Sequence, residues 1–407
     1  MRISYLIHSF GKSGGSIVLY NFMDNLVKRG YEVYAITPTK NYKWEIGMWK
    51  ELISKENSVS HLNLKKIIKK TVYNRIKNYN QVKKFKTLYN LNKITKGLIE
   101  NWIPSDITIS TYCFTAYAGY YLSNRTVSLY HMQHFEEVFF QDYMDRMIAR
   151  NTYYLPLLKI SNSSWLKNIM KKYFNEETYL LNPGIDLNIF THNPNFMDKY
   201  KEKKEWNIVS FFDETREWKG FSDAVQAVKK AREILDGKGY KINWKVFGLN
   251  PPTKIYDTEF EYVGQLFHKD LANFYAQSDI VLLTSWYESF PLPPIEAMAT
   301  GSLIISTQYG VEDYLVDGFN GLVALPRNTK DITDKIIWAV ENPEDVSKIV
   351  RQGIETAKNY SWERRTDVLE QIFNDAIKNY SYNNKTKLFD DLVNGKFKEY
   401  MYDEFSL

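Results

Sequence analysis

Short apolar runs alternate along the chain with longer amphipathic stretches. Residues 3–10 (ISYLIHSF) read as a strand, 14–30 (GGSIVLYNFMDNLVKRG) as a helix closed by Gly30, and 31–38 (YEVYAITP) as the next strand. Strand, helix and strand in close succession favour parallel pairing, since a parallel partner needs a crossover. Three further runs, 106–111 (DITIST), 126–132 (TVSLYHM) and 157–161 (LLKIS), extend the series, so the first half is expected to form one doubly wound sheet. Residues 181–190 (LNPGIDLNIF) interrupt it with Pro, Gly and Asp and mark a linker. The same pattern then restarts. Strands are expected at 206–212, 242–248, 280–285 and 302–307, with helices at 222–237, 269–278 and 293–300. A helix over 331–342 would take Asp331 as its N-cap, and 346 to about 380 reads as one helical stretch. The expected fold class is α/β, with two Rossmann-like parallel-sheet domains in series, residues 1–183 and 184–372, and a helical segment over 373–407.

The totals fit that outline. A chain of 407 residues is too long for one ordinary core. No apolar run approaches the roughly 18 residues of a membrane span. The start, MRISYLIHSFGKSGG, runs directly into the first strand–helix unit and reads as a buried strand, not a signal peptide. Cys113 is the sole cysteine, which excludes an internal disulfide and makes the cytoplasm the default compartment.

The net charge of +5 is modest but unevenly spread: residues 65–96 hold eleven Lys or Arg and no acid. Within this basic 64–96 segment Leu64, Ile67, Ile68, Val72 and Ile76 fall at helical spacing. Such a basic amphipathic helix suits the surface of an anionic membrane. A packed helix with a solvated basic face would give the same pattern. Nucleic acid is not expected as a partner, because no reader motif accompanies the charge.

The chemistry concentrates in SWYESFPLPPIEAMATG, residues 285–301, between two strand-like runs. Pro293 and Pro294 lack an N–H and suit a first helical turn, so a helix is expected to begin there, with Glu296 in that turn. A helix start at the carboxyl end of a parallel strand favours anions, and Ser289, Phe290, Pro291 and Leu292 form the loop leading into it. Carboxylates beside bound phosphate are better used as acceptors for hydroxyls. Glu288 and Glu296, eight residues apart, would grip the two polyol ends of a sugar–diphosphate–nucleoside, with the diphosphate at the helix start. Both acids also have ordinary readings, as dipole partner and as solvated loop charge.

ESFPLPPIEAMATG resembles the E-x7-E motif of the nucleotide-sugar glycosyltransferase family GT4, which has the GT-B fold. The resemblance covers most of the chain and is strongest from about Ile208 to Trp362. It implies two domains facing across a cleft, residues 1–183 binding acceptor and 184–372 binding donor, with 373–407 packing back on the first domain. It implies a retaining transferase in which the departing diphosphate helps take the acceptor proton. REWKG then looks like the diphosphate loop, with Arg216 and Lys219 as cations that join Glu288 in catalysis. Gly248, Gly264 and Gln265 resemble the segments lining the base pocket.

The glycines after the first strand, Gly14 and Gly15, resemble the loop that approaches donor phosphates, though a tight strand-to-helix turn needs glycine equally. In LYHMQHFEE a side chain touching the transferred sugar is expected, but the register leaves His131, Gln133 and His134 open, with His134 the catalytic candidate. No Asp-x-Asp occurs in a suitable loop and no His/Cys cluster has metal spacing, so neither metal nor cofactor is expected beyond the nucleotide-sugar co-substrate. The implied function is transfer from a nucleoside-diphosphate sugar, UDP by prevalence, to a glycan, lipid-linked or protein acceptor. That places the chain in the cytoplasm, at the inner membrane face if the acceptor is lipid-linked. The alternative is a non-catalytic GT-B subunit that binds glycan or scaffolds an active partner.

Overall fold

The computed structural model describes residues 1–11, 13–53, 79–192 and 199–380. The basic run over 65–78 therefore lies outside the described residues. Two compact units are present. Unit 1 holds residues 1–162, 166–181 and, among the described residues, 365–380; unit 2 holds 163–165 and 182–364. Among the described residues no helix is long and apolar enough to cross a membrane.

Unit 1 is built on a seven-stranded sheet in the order β3-β2-β1-β4-β5-β6-β7. Its strands are β1 (Arg2–Leu6), β2 (Glu32–Ile36), β3 (Asn41–Lys43), β4 (Ile107–Ser110), β5 (Val127–Met132), β6 (Leu158–Ser161) and β7 (Thr178–Leu180). All pairings are parallel except β2 with β3. β4 and β5 are buried along their whole length, as expected for strands covered on both faces. The helices are α1 (Gly14–Lys28), α2 (Tyr79–Asn101), α3 (Cys113–Leu122), α4 (Tyr143–Thr152) and α5 (Ser164–Phe174). Ser13 caps α1 by accepting the Ser16 N–H at 3.2 Å, and Val18, Leu19, Phe22, Met23 and Leu26 form its buried face.

Unit 2 carries a six-stranded, all-parallel sheet in the order β10-β9-β8-β11-β12-β13. Its strands are β8 (Glu205–Phe211), β9 (Lys241–Phe247), β10 (Glu261–Tyr262), β11 (Ile280–Leu283), β12 (Leu303–Thr307) and β13 (Leu322–Ala324). The helices are α6 (Phe221–Asp236), α7 (His268–Ala276), α8 (Leu292–Ala299), α9 (Thr329–Glu341), α10 (Pro343–Ala357) and α11 (Trp362–Asn379), the last passing into unit 1. Alternate strand residues feed two cores. Ile280, Leu282, Leu303 and Ile305 join Val225 and Val228 of α6 and Ile332 and Ile336 of α9. Val281 and Ile304 join Tyr275 of α7 and Ile295 and Met298 of α8. The period-2 alternation of a strand thus covers both faces, each buried aliphatic side chain contributing roughly 1.5–3 kcal/mol.

Two helical expectations are corrected. Asp331 is not the N-cap of α9: Asn328 is, its side chain accepting the Asp331 N–H at 3.0 Å, while Asp331 accepts the Leu325 N–H at 2.7 Å. The stretch 346–380 is not one helix. It breaks at a 3-10 turn over Lys358–Tyr360, followed by extended Ser361, where the Tyr360 carbonyl accepts the Ile185 N–H at 2.7 Å.

Beyond the break, α11 buries Leu369, Ile372, Phe373 and Ala376. Within unit 1, Arg29 pairs with Asp367 at 2.7 Å and with Glu370.

Candidate functional site

In unit 2 the strand order reverses between β8 and β11, and the carboxyl ends of such neighbours are where open parallel sheets hold ligands. The loop after β8 is shaped by Asp213. Its Oδ1 accepts the Thr215 N–H (2.9 Å), the Thr215 hydroxyl (2.7 Å) and the Arg216 N–H (3.2 Å). Its Oδ2 takes the Arg216 guanidinium through Nε at 2.6 Å and Nη2 at 2.5 Å. Partial burial works to raise the Asp213 carboxyl, but the bonds from Thr215 and Arg216 outweigh it and hold the group below its ordinary value. Arg216 is thereby oriented while its side chain stays 44% exposed.

A 3-10 turn, Glu217–Lys219, follows and ends on Gly220 at φ 64°. A Cβ on Gly220 would lie 2.0 Å from the Thr284 carbonyl oxygen, so the close approach of this loop to the end of β11 requires glycine. Thr284 Oγ1 donates to the Gly220 carbonyl at 2.8 Å, and the Trp286 N–H donates to the Trp218 carbonyl at 2.7 Å. The two loops are thus joined backbone to backbone.

That seam places Lys219 Nζ 2.5 Å from the Glu288 carboxylate, with side-chain exposures of 17% and 12%. Ser289 and Phe290 are buried, and Phe290 packs on Tyr314 with ring centroids 5.0 Å apart. The Pro291 carbonyl accepts the Tyr314 hydroxyl at 2.9 Å.

Helix α8 begins at Leu292, one residue before Pro293, so Glu296 lies in its second turn rather than its first. Pro291 is the N-cap and makes no side-chain cap bond. With proline at 291, 293 and 294, Leu292 alone supplies an N–H among the N-cap and first three helical residues. Glu296 makes no side-chain hydrogen bond or ion pair among the described residues. It keeps part of its surface open to solvent, yet burial of its carboxyl, with no cation facing it, pushes it up to about 8. The fully buried Tyr275 hydroxyl, within range of the Glu296 charge, also lacks a hydrogen-bond partner.

At the neighbouring strand ends, a Cβ on Gly248 would meet the Phe212 carbonyl oxygen at 2.3 Å. The Gly248 N–H donates to the Gly264 carbonyl at 3.0 Å, and Gln265 is exposed. The structure therefore brings Lys219 into contact with Glu288, and Gly248 into contact with Gly264. Arg216 turns toward Asp213.

In unit 1, Gly14 opens α1 in open space, whereas a Cβ on Gly15 would sit 3.5 Å from the Gln133 Cβ. Gln133 Nε2 and His131 Nε2 are 3.1 Å apart. Burial drives the His131 imidazole down to about 3, so it is neutral at physiological pH. His134 points elsewhere, its ring 4.8 Å from that of Phe139. Of the three side chains left open by the sequence, Gln133 is the one beside the glycine loop.

Two acids were missed. Glu136 accepts the Cys113 N–H at 2.5 Å, at the start of α3, and the Tyr130 hydroxyl at 2.9 Å, and burial raises its carboxyl to about 7. Glu137 forms a buried two-pronged pair with Arg150 at 2.8 and 2.9 Å. The signal was the charge pair inside the apolar FEEVFF. Among the described residues no group of three His, Cys, Asp or Glu is placed to hold a metal ion.

These features define a class. Two Rossmann-like units with this topology constitute a GT-B fold. Residues 193–356 match the family model described as Glycosyl transferases group 1, to which this chain is related.

Particular relatives follow. The chain is 24% identical over 218 residues to an uncharacterized glycosyltransferase of Methanocaldococcus jannaschii, covering 52% of this chain and 58% of the relative. It is 33% identical over 110 residues to the D-inositol 3-phosphate glycosyltransferase of Saccharomonospora viridis, covering 27% of this chain and 26% of that protein. The matched regions thus span between about a quarter and three-fifths of these relatives' lengths. Among solved structures, sucrose-phosphate synthase from Thermosynechococcus elongatus superposes with TM-score 0.69 at 16% identity, covering 93% of this chain and all of that one. Anabaena HepE in complex with UDP gives TM-score 0.65 at 15% identity, covering 92% of this chain and all of HepE.

Proposed function

We propose that this chain is a retaining, metal-independent glycosyltransferase that moves a sugar from a nucleoside diphosphate, UDP first among them, to a hydroxyl acceptor. The observation that carries the reading is the Lys219–Glu288 contact between two strand ends beside the start of α8. In the free protein each charge neutralises the other. An entering diphosphate competes for Lys219 with a higher charge, and Glu288 is then released to accept the hydroxyls of the transferred sugar. Arg216 and the Leu292 N–H supply further positive ends toward the charge that develops on the leaving diphosphate. Glu296 accepts the ribose hydroxyls. The departing diphosphate takes the acceptor proton, so the protein contributes chiefly position and electrostatics. The likeness to a D-inositol 3-phosphate glycosyltransferase, and to HepE in complex with UDP and with UDP-glucose, supports the choice of substrate class.

We further propose a surface polysaccharide, lipid-linked glycan or glycoprotein as the assembly served, at the cytoplasmic face of a membrane. The basic 64–96 segment supports that placement.

The test is thermal stabilisation of the full chain by UDP, GDP, ADP and dTDP, followed by transfer or hydrolysis with the matching nucleotide sugars. One nucleotide should raise the melting temperature in the wild type and fail to do so in Lys219→Ala. No response to any nucleotide, with no turnover, would sink the donor reading and favour the non-catalytic alternative.

A further inference from the structure

We propose that Tyr314 is a positioning residue of the donor site: its hydroxyl fixes the peptide that carries the Leu292 N–H and so aims that N–H at the donor diphosphate. The proposal rests on the donor reading above and deepens it. The Pro291–Leu292 peptide is trans, so its carbonyl and its N–H lie in one plane and point in opposite directions. Whatever holds the carbonyl therefore sets the N–H. The holder is Tyr314, whose hydroxyl donates to the Pro291 carbonyl at 2.9 Å. Burial pushes that hydroxyl well above its ordinary value, so it stays protonated and able to donate. The Leu292 N–H makes no hydrogen bond among the described residues. Pro291, Pro293 and Pro294 around it have no N–H to take its place. A bond accepted by the carbonyl also polarises the peptide and strengthens its N–H as a donor.

The hydroxyl sits on a rigid base. Tyr314 is buried, its ring 5.0 Å from that of Phe290 and 5.9 Å from that of Tyr360, and the Tyr360 hydroxyl donates to the Asp313 carbonyl at 2.6 Å. The segment that follows β12 tracks the donor loop along its length. Thr307 Oγ1 donates to the Ser285 carbonyl, and Gly310 lies so close to Glu288 that a Cβ would come 2.4 Å from its carbonyl oxygen. Tyr314 then reaches Pro291. Residues 307–314 thus brace residues 285–291. A ring that only filled this core could be Phe, since a buried hydroxyl adds the need for a partner. Here that partner is the peptide at the helix start.

The experiment uses the full chain as wild type, Tyr314→Phe and Tyr360→Phe. UDP, GDP, ADP and dTDP are titrated beside uridine, guanosine, adenosine and thymidine, which carry no phosphate. Tyr360→Phe is the matched control, because it removes a buried hydroxyl of the same cluster that is bonded to a different carbonyl. Tyr314→Phe should bind the accepted diphosphate about five-fold more weakly, and the parent nucleoside within about two-fold of the wild type. Tyr360→Phe should bind both as the wild type does. In protein labelled with 15N-leucine, the Leu292 amide is identified by its loss in Leu292→Met. The diphosphate should move that resonance in the wild type, and move it less at saturation in Tyr314→Phe. Equal weakening of diphosphate and nucleoside, or equal weakening by the two variants, would make Tyr314 a packing residue only and overturn the proposal. So would a Leu292 amide that the diphosphate leaves unmoved, a result read in the wild type even if Tyr314→Phe fails to fold. The two readings fail separately. If no diphosphate binds the wild type, the donor reading falls and takes the proposal with it. If one binds and needs Lys219, yet binds Tyr314→Phe as tightly, the proposal alone falls.

Discussion

Lys219 Nζ and the Glu288 carboxylate lie 2.5 Å apart although 69 residues separate them in the chain. The pair is mostly shielded, so its coupling exceeds that of a surface ion pair. Removing either partner should have opposite consequences for binding. Lys219→Ala should cut turnover by roughly two to four decades and abolish UDP affinity. Glu288→Gln removes the internal competitor for Lys219. It should bind UDP about three-fold tighter or more while turnover still collapses. Calorimetric titration with UDP beside steady-state rates checks both. Equal weakening of UDP by the two variants would show that the pair acts only as a structural brace.

The geometry that creates this pair depends on Gly220. Gly220→Ala must hold a Cβ at φ 64° and 2.0 Å from the Thr284 carbonyl. The left-handed backbone alone costs about 1–2 kcal/mol, and the clash adds to it. Gly239→Ala is the matched control, since Gly239 has φ 78° but open space around its Cβ. Denaturant unfolding should show Gly220→Ala losing clearly more than Gly239→Ala, with UDP binding impaired only in the former. Equal losses would mean that the loops separate at no cost.

Legibility followed the range of the interactions involved. Strands of a sheet covered on both faces are continuous apolar runs, so IVLLTS contained β11 and SLIIST contained β12. β3, β10 and β13, of two or three residues, are too short to carry a pattern. The break at Lys358–Tyr360 has no Pro or Gly to announce it, because a partner distant in sequence, the Ile185 N–H, helps set it. Asp331 misled because any acid near a helix start resembles a cap, and Asn328 stood three residues earlier. The motif ESFPLPPIE was readable because its chemistry is contiguous. The turn of Arg216 toward Asp213 and the burial of Glu136 depend on the folded backbone and left only faint local traces.

Glu137 and Arg150 provide a test of the acids that were missed. Both side chains are almost fully buried, at 2% and 8% exposure. Arg150→Met leaves an uncompensated carboxylate and should cost about 3–5 kcal/mol at neutral pH. Adding Glu137→Leu should restore much of that loss, because the desolvation of a lone charge disappears with it. Urea unfolding of the two single variants and the double variant at one pH measures the coupling. Simple additivity of the single losses would contradict the buried-pair account.

Glu296 should make stability fall as pH rises. Burial holds its folded carboxyl at about 8, against 4.5 for the free group. Between these values the folded state binds the proton that the unfolded state has released. The slope of unfolding free energy with pH is therefore negative for this group, starting near the unfolded value and ending above the folded one. Solvent reaching the half-open side chain reduces the size of the effect but not its sign. Glu296→Gln keeps the shape without the charge, so its melting temperature should gain on the wild type progressively from pH 5 to pH 9. Nucleotide should act in the reverse sense. Ribose hydroxyls donate to the ionised carboxylate, so UDP binding to the wild type near pH 7 should release a proton, and binding to Glu296→Gln should not. Calorimetry in buffers of different ionisation enthalpy counts that proton. A wild type and a glutamine variant that run parallel across the whole pH range would remove Glu296 from both roles.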